Sequence, residues 1–288
     1  MKRSFENDPA LGEKLFDLLD TVFPGVREVA HNAKALGASW ESVSTPFIHF
    51  ESGRAVSHVG VIEIPLILLG KNVTVGSVHG VATHPDYRRR GYFGRLIEEV
   101  IEHCSSRYET LILTTEHPEY FEPFGFRVIR EHHFTLNCES KGGQGGLRLL
   151  DTRDAGDIAL LHRLLETREP VSQVVGVVNE KGVFCFNEGS RPLHYAKDLD
   201  AIIRLEIEGA SLKLLDVVSP NLPQLSEVLE RIPQRIETVD ICFAPDRLAQ
   251  EARPSPYVFD HDGPSYFMAR GPFASEGEKF TLPRSART

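Results

Sequence analysis

The chain is poor in the features that mark several broad protein classes. Its four cysteines, Cys104, Cys138, Cys185 and Cys242, are scattered over 288 residues with no C-x-x-C pair. No secretory signal precedes them, so the expectation is a reduced, cytoplasmic protein without a disulfide framework. Long apolar runs are missing as well. The longest, Ile64 to Leu69, contains Pro65 and falls far short of the roughly 20 residues needed to span a bilayer. There is no excess of basic charge: the formal net charge is −9 and the pI about 5.8. A general nucleic-acid binder needs a basic surface to neutralise phosphate, so that class is excluded. The twelve histidines include no H-x-x-x-H pattern and no cysteine companion, so no metal site is expected. Neither the Gly-Lys-Ser/Thr of a nucleotide P-loop nor a G-x-G-x-x-G dinucleotide fingerprint occurs.

What is present centres on Val73 to Thr115. Val73 to Thr83 is β-branched and ends at His84-Pro85; proline cannot continue a ladder and forces its predecessor into extended geometry. Beyond Arg88-Arg89-Arg90-Gly91-Tyr92-Phe93-Gly94, the residues Phe93, Leu96, Ile97, Val100, Ile101 and Cys104 recur at helical spacing. Arg95, Glu98, Glu99, Glu102 and His103 fall on the opposite face, which predicts an amphipathic helix with one buried side. Leu111 to Thr115 then reads as a buried strand. Strand, helix, strand is a crossover, so the two strands are expected to be parallel. The loop into the helix is an anion site in outline. A helix start leaves about four N–H groups without intrahelical partners and carries roughly half a positive charge. Gly91 admits close backbone approach, and three arginines add phosphate-shaped donors. The alternative reading of Arg88 to Arg90 is a solvated charge run.

Arg88-x-x-Gly91, preceded by Val81-Ala82-Thr83-His84-Pro85 and followed by Tyr120-Phe121-Glu122-Pro123-Phe124-Gly125-Phe126, resembles the GNAT superfamily of acyl-CoA-dependent N-acetyltransferases. The resemblance covers the first half of the chain. It implies that acetyl-CoA is the co-substrate, with Val81, Ala82 and Thr83 meeting pantetheine and the thioester, and Arg88, Arg89, Arg90, Gly91, Tyr92, Phe93 and Gly94 meeting the pyrophosphate. The family signature Q/R-x-x-G-x-G/A is broken at its last position by Phe93. A large residue there is similar to the multidomain enhanced-intracellular-survival branch, whose C-terminal sterol-carrier-like domain has no counterpart here. That branch uses its chain terminus in catalysis, and the present tail offers no evident equivalent.

The expected fold is mixed α/β (α+β): a GNAT domain over 1–139 with a central, partly parallel sheet, followed by a smaller, degenerate GNAT-like domain over 147–273. Helices are expected from Asp8 to Val22 and around Val26 to Leu36, and by resemblance they line the acceptor site. An antiparallel meander over Phe47 to Glu51, Ala55 to Leu69 and Val73 to Thr83 follows from the short Gly/Asn-containing gaps, with Val128 to Asn137 as a further strand of the same sheet. Ser140 to Gly146 reads as a flexible glycine linker, and the polar residues 274–288 as a frayed tail. In the second half, the predicted strand at Leu212 to Val218, helix at Leu222 to Ile232 and segment Glu237 to Phe243 echo the order around His84-Pro85, but without an arginine-glycine loop.

The predicted reaction is acetyl transfer to a primary amine of a small, cationic acceptor by direct attack on the thioester. A base must first deprotonate the amine, and a main-chain N–H near Val81 is the oxyanion donor. Glu116, at the end of the second parallel strand, is the candidate base; its other reading is a surface glutamate capping the next turn. His79 and His84 are either proton relays or structural. The tyrosine that protonates the departing thiolate in many GNAT enzymes is replaced by Phe121, leaving Tyr120 or Tyr92 as substitutes, with a core aromatic as the alternative role for Tyr120. A non-catalytic acyl-CoA sensor is the competing function. No nucleic-acid, membrane or metal partner is expected.

Overall fold

The computed structural model describes Phe5, Asp8 and residues 10–260 and 263–288. Helices α1 (Leu11–Val22) and α2 (Val26–Ala35) come first. Strands β1 (Ser44–Glu51), β2 (Arg54–Leu68) and β3 (Lys71–Thr83) follow as an antiparallel meander, as their alternation and short gaps predict. Helix α3 (Tyr92–Cys104) leads to β4 (Leu111–Thr115), which is parallel to β3. The buried face of α3, with Leu96, Ile97, Val100 and Cys104, packs on Val59, Val61 and Val78 of the sheet.

Beyond β4 the chain departs from the expected order. β5 (Arg127–Val128) stays with the first sheet, but β6 (Glu131–Ser140) lies in a second one. Then come β7 (Leu147–Leu149), α4 (Ala155–Thr167), β8 (Val175–Val177), α5 (Gly182–Glu188), β9 (His194–Ala196), β10 (Ala201–Glu208), β11 (Ser211–Val218), α6 (Leu225–Glu230), β12 (Ile236–Ile241), β13 (Arg253–Tyr257), β14 (Phe259–Asp260) and β15 (Pro264–Arg270). The first sheet runs β1-β2-β3-β4-β15-β14, with β5 on β15 and β8 on β2, and the second runs β13-β6-β12-β11-β10-β9-β7.

The two sheets repeat one pattern. β9, β10 and β11 form an antiparallel set, β11 and β12 are parallel, and β6 pairs antiparallel with β12. In the first sheet β15 pairs antiparallel with β4 in the corresponding place. Each half therefore lends a strand to the other, and the expectation that Val128 to Asn137 completes the first sheet is corrected. Neither sheet is one contiguous stretch of sequence.

Two further expectations are overturned. The glycine run is packed, not free: Gly143 N–H donates to the Ile232 carbonyl at 2.7 Å, and a Cβ on Gly143 would lie 2.0 Å from the Glu230 carbonyl oxygen. Glycine is required here for close approach of two backbones. Residues 274–288 are not frayed either. Phe280, Leu282 and Ala286 join the core cluster of Ile62, Ile64, Ile112 and Phe267, and the polar residues between them reach buried partners in both halves. Arg284 Nε donates to Glu188 Oε1 at 2.7 Å, Ser285 Oγ to Asp216 Oδ2 at 2.6 Å, and Arg287 Nη2 to Glu131 Oε1 at 2.6 Å. Asp216 also holds Arg168, and Glu188 also holds Arg204, at 2.7 and 2.9 Å, with all four side chains almost wholly buried.

Candidate active site

The parallel pairing of β3 with β4 is confined to Gly76↔Leu111 and Ser77↔Ile112, although β3 continues to Thr83 and β4 to Thr115. From Val78 onward the strands part, and the β4-facing edge of β3 is left without a strand partner. Opposite β2 the register jumps from Gly60↔His79 to His58↔Ala82, so Gly80 and Val81 together oppose Val59. This is a β-bulge with Gly80 at φ +56°, the left-handed conformation glycine accepts without steric cost. Bulges of this kind re-aim backbone groups beside active sites.

At the far end of β3 the turn His84 to Gly91 leads into α3. His84 is buried, with Nε2 2.9 Å from Arg54 Nη2 and Nδ1 3.3 Å from the Asp86 N–H; its place is structural, fixing the turn. Gly91 is the N-cap at φ +75°, no side chain caps the helix, and its first turn holds no acidic residue. The first intrahelical bond runs from Arg95 N–H to the Gly91 carbonyl at 3.2 Å, so the N–H groups before it have no intrahelical acceptor. A Cβ built on Gly91 meets nothing within 4 Å. The space beside Gly91 is therefore open, and N–H groups without intrahelical acceptors next to it are what an anion such as a pyrophosphate would need. Arg88 Nε is held by the Thr83 carbonyl at 3.3 Å, and Arg90 Nη2 by the Asp86 carbonyl at 3.1 Å. Arg89, at φ +62°, is exposed.

The structure separates the remaining candidates. The Tyr92 hydroxyl donates to Glu51, and its ring stacks on His49 at 4.1 Å; it is anchored to β1 and is no substitute acid. Phe121, at the family's tyrosine position, is 4% exposed, and Tyr120 is 55% exposed. Tyr120 stacks on His117 at 4.9 Å, so the core aromatic is Phe121 and not Tyr120. Phe93 lies edge-on to Phe121 at 5.5 Å and to Phe124 at 5.7 Å. The two departures from the family pattern are thus neighbours in one aromatic cluster, which spacing alone did not reveal. Glu116 is exposed just past β4, with its carboxyl beside Gly263.

One participant was missed altogether. Thr288 Oγ1 hydrogen-bonds Ser77 Oγ and donates to the Val78 carbonyl at 3.3 Å, where β3 leaves β4. The tail, expected to be frayed, thus packs against β3 where that strand leaves β4. His79 lies on the same strand with Nε2 2.8 Å from Ser44 Oγ, and burial, with His58 nearby, lowers its pKa to about 3. Among the described residues no cluster of metal-ligating side chains occurs, and no helix is long and apolar enough to cross a membrane.

A splayed parallel pair, a bulge at the splay and an uncapped helix start beyond it thus follow one another along β3 and into α3. Residues 10–129 match the family model of the acetyltransferase (GNAT) domain. The match ends as the chain leaves the first sheet. No curated protein matches the sequence. Among solved structures, a probable N-acyltransferase from Enterococcus faecalis V583 is similar at a TM-score of 0.63 and 14% identity, over 94% of this chain and 71% of the other. GCN5-related N-acetyltransferases from Kribbella flavida (TM-score 0.57, 14% identity, 94% and 70% covered) and Anabaena variabilis (0.55, 15%, 94% and 71%) share the fold as well.

Proposed function

We propose that the protein is an acetyl-CoA-dependent N-acetyltransferase acting on a primary amine of a small, cationic acceptor. The observation that carries this reading is the pairing of an open β3 edge with the uncapped helix start at Gly91. Val81, Ala82 and Thr83 hold the pantetheine arm, and residues 88–94 hold the pyrophosphate. Acetyl-CoA supplies an activated thioester. The amine nitrogen bonds to the thioester carbon, the C–S bond breaks, the nitrogen loses a proton to a base, and the sulfur gains one. Val81 N–H faces the carbonyl oxygen as its charge grows; one such donor is worth about 3 kcal/mol. Glu116 serves as base and Tyr120 as proton donor to sulfur. In the branch that the sequence resembles, the end of the chain takes part in catalysis, and the contact of Thr288 with Val78 supports a role for this segment in shaping the site. The net charge of −9 favours a cationic acceptor, and binding of such an acceptor weakens with added salt.

A second reading, a non-catalytic acyl-CoA sensor, is favoured by buried Phe121, which has no proton to give. Both readings require acetyl-CoA binding, measured by calorimetry. Only the enzyme releases free thiol when offered polyamines, aminoglycosides, amino acids and peptides.

A further inference from the structure

The bulge that turns β3 away from β4 is backed by an imidazole that the reaction above does not use. Gly80 and Val81 have no register partner on β2, so the Gly80 carbonyl is removed from the ladder inside the protein. It is satisfied by His58, whose Nδ1 lies 2.7 Å away. His58 is fully buried, and because a carbonyl only accepts, Nδ1 carries the proton and Nε2 the lone pair. Nε2 is buried with no partner. A Cβ on Gly80 would sit 3.2 Å from the His58 ring and 3.9 Å from Leu19 of α1, so the ring occupies the space beside the bulge. His79 stands edge-on to His58 at 6.0 Å, and Trp40 edge-on to His79 at the same distance. Among the described residues, no carboxylate or basic side chain is seen to hydrogen-bond His58.

We infer that His58 is a positioning residue for acetyl transfer: by donating to the Gly80 carbonyl it holds the β3 bulge so that the Val81 N–H points into the splay. This rests on the transferase reading of the site. His58 backs residues 80–82 from β2 and, among the described residues, makes no hydrogen bond to residues 88–94, so its loss falls on turnover more than on the grip at the pyrophosphate turn.

The test uses His58→Phe, which keeps the ring volume and loses the donor, and His58→Asn, whose amide nitrogen reaches nearly as far as Nδ1. Three quantities are read on the whole chain: the Kd for acetyl-CoA, kcat for thiol release with the amine panel, and amide hydrogen exchange at Gly80 to Ala82. For His58→Phe the expected result is a Kd within about twofold of wild type, a kcat lower by about 100-fold, as for loss of an oxyanion donor, and faster exchange at Val81 and Ala82. His58→Asn recovers kcat to within about tenfold. Unchanged kcat in His58→Phe, or kcat and acetyl-CoA affinity falling together with no rescue by asparagine, overturns the inference. If wild type binds acetyl-CoA but releases no thiol, the transferase reading fails, and unchanged exchange in His58→Phe then overturns the bulge assignment on its own.

Discussion

Two helices stand at equivalent places in this chain, each following the central parallel strand of its sheet, and they treat anions in opposite ways. α3 begins at a bare glycine with no acidic residue in its first turn. α6 begins at Gln224 in a capping box, where Glu227 Oε2 accepts the Gln224 N–H at 2.8 Å. Two residues earlier, the Leu222 N–H is taken by Glu169 at 3.2 Å. The second half has thus answered its own donors with carboxylates, which stabilise a helix start and repel a phosphate there. The first half leaves its donors without such partners. A phosphate-binding turn and a well-capped helix are alternative uses of the same four N–H groups.

The bulges differ in the same sense. Both β3 and β11 carry one extra residue where they pass the preceding strand, opposite His58-Val59 and at Arg204/Leu205. In the first half the backing group is a neutral imidazole. In the second, Arg204 donates to the Leu205 carbonyl at 2.8 Å and to Glu188, which also takes Arg284 of the tail. One bulge is left adjustable beside an open edge, and the other is pinned by buried charge.

The largest test of this contrast is Glu188→Ala. It removes the carboxylate shared by Arg284 and Arg204, leaving Arg204, among the described residues, only Glu206 and the Leu205 carbonyl, and breaking a buried pair in this way costs about 3 kcal/mol; urea unfolding should show that loss. The first half should instead respond to acid. His58 is held neutral, its pKa lowered to about 4 mainly by burial, while an unfolded histidine takes up its proton near pH 6.5. Its contribution is complete above the unfolded pKa and is lost as pH falls toward 4, on the order of 3 kcal/mol. The difference in unfolding free energy between pH 7.5 and pH 4 should shrink in His58→Asn. Next, Gly91→Val forces a β-branched residue into φ +75° and covers the cradle; acetyl-CoA affinity should fall by about 100-fold in calorimetry, with a melting temperature within a few degrees of wild type. The smallest effect belongs to Glu227→Ala, which removes a cap worth about 1 kcal/mol and should leave acetyl-CoA affinity unchanged.

How much of this could be read from the residues depended on the range of the interaction. The meander, α3 and β4 are written in local periodicity and turn residues, so they were legible, as was the glycine that opens α3. The exchange of β6 and β15 was not, because a half-buried strand carries the same alternation whichever sheet it joins. The tail was misread for a related reason. Arg284, Ser285 and Arg287 look like a solvated end until Glu188, Asp216 and Glu131 are brought to them across the fold. Phe93 and Phe121 each looked like an isolated departure from a family pattern, and only contact shows that they pack together.

The most direct test of the account is a crystal structure of the protein soaked with acetyl-CoA. The account predicts pyrophosphate density on the N–H groups of residues 91–94, pantetheine along Val81 to Thr83, and nothing at Gln224. An empty turn at Gly91 under saturating ligand, or density at the start of α6 instead, would contradict it.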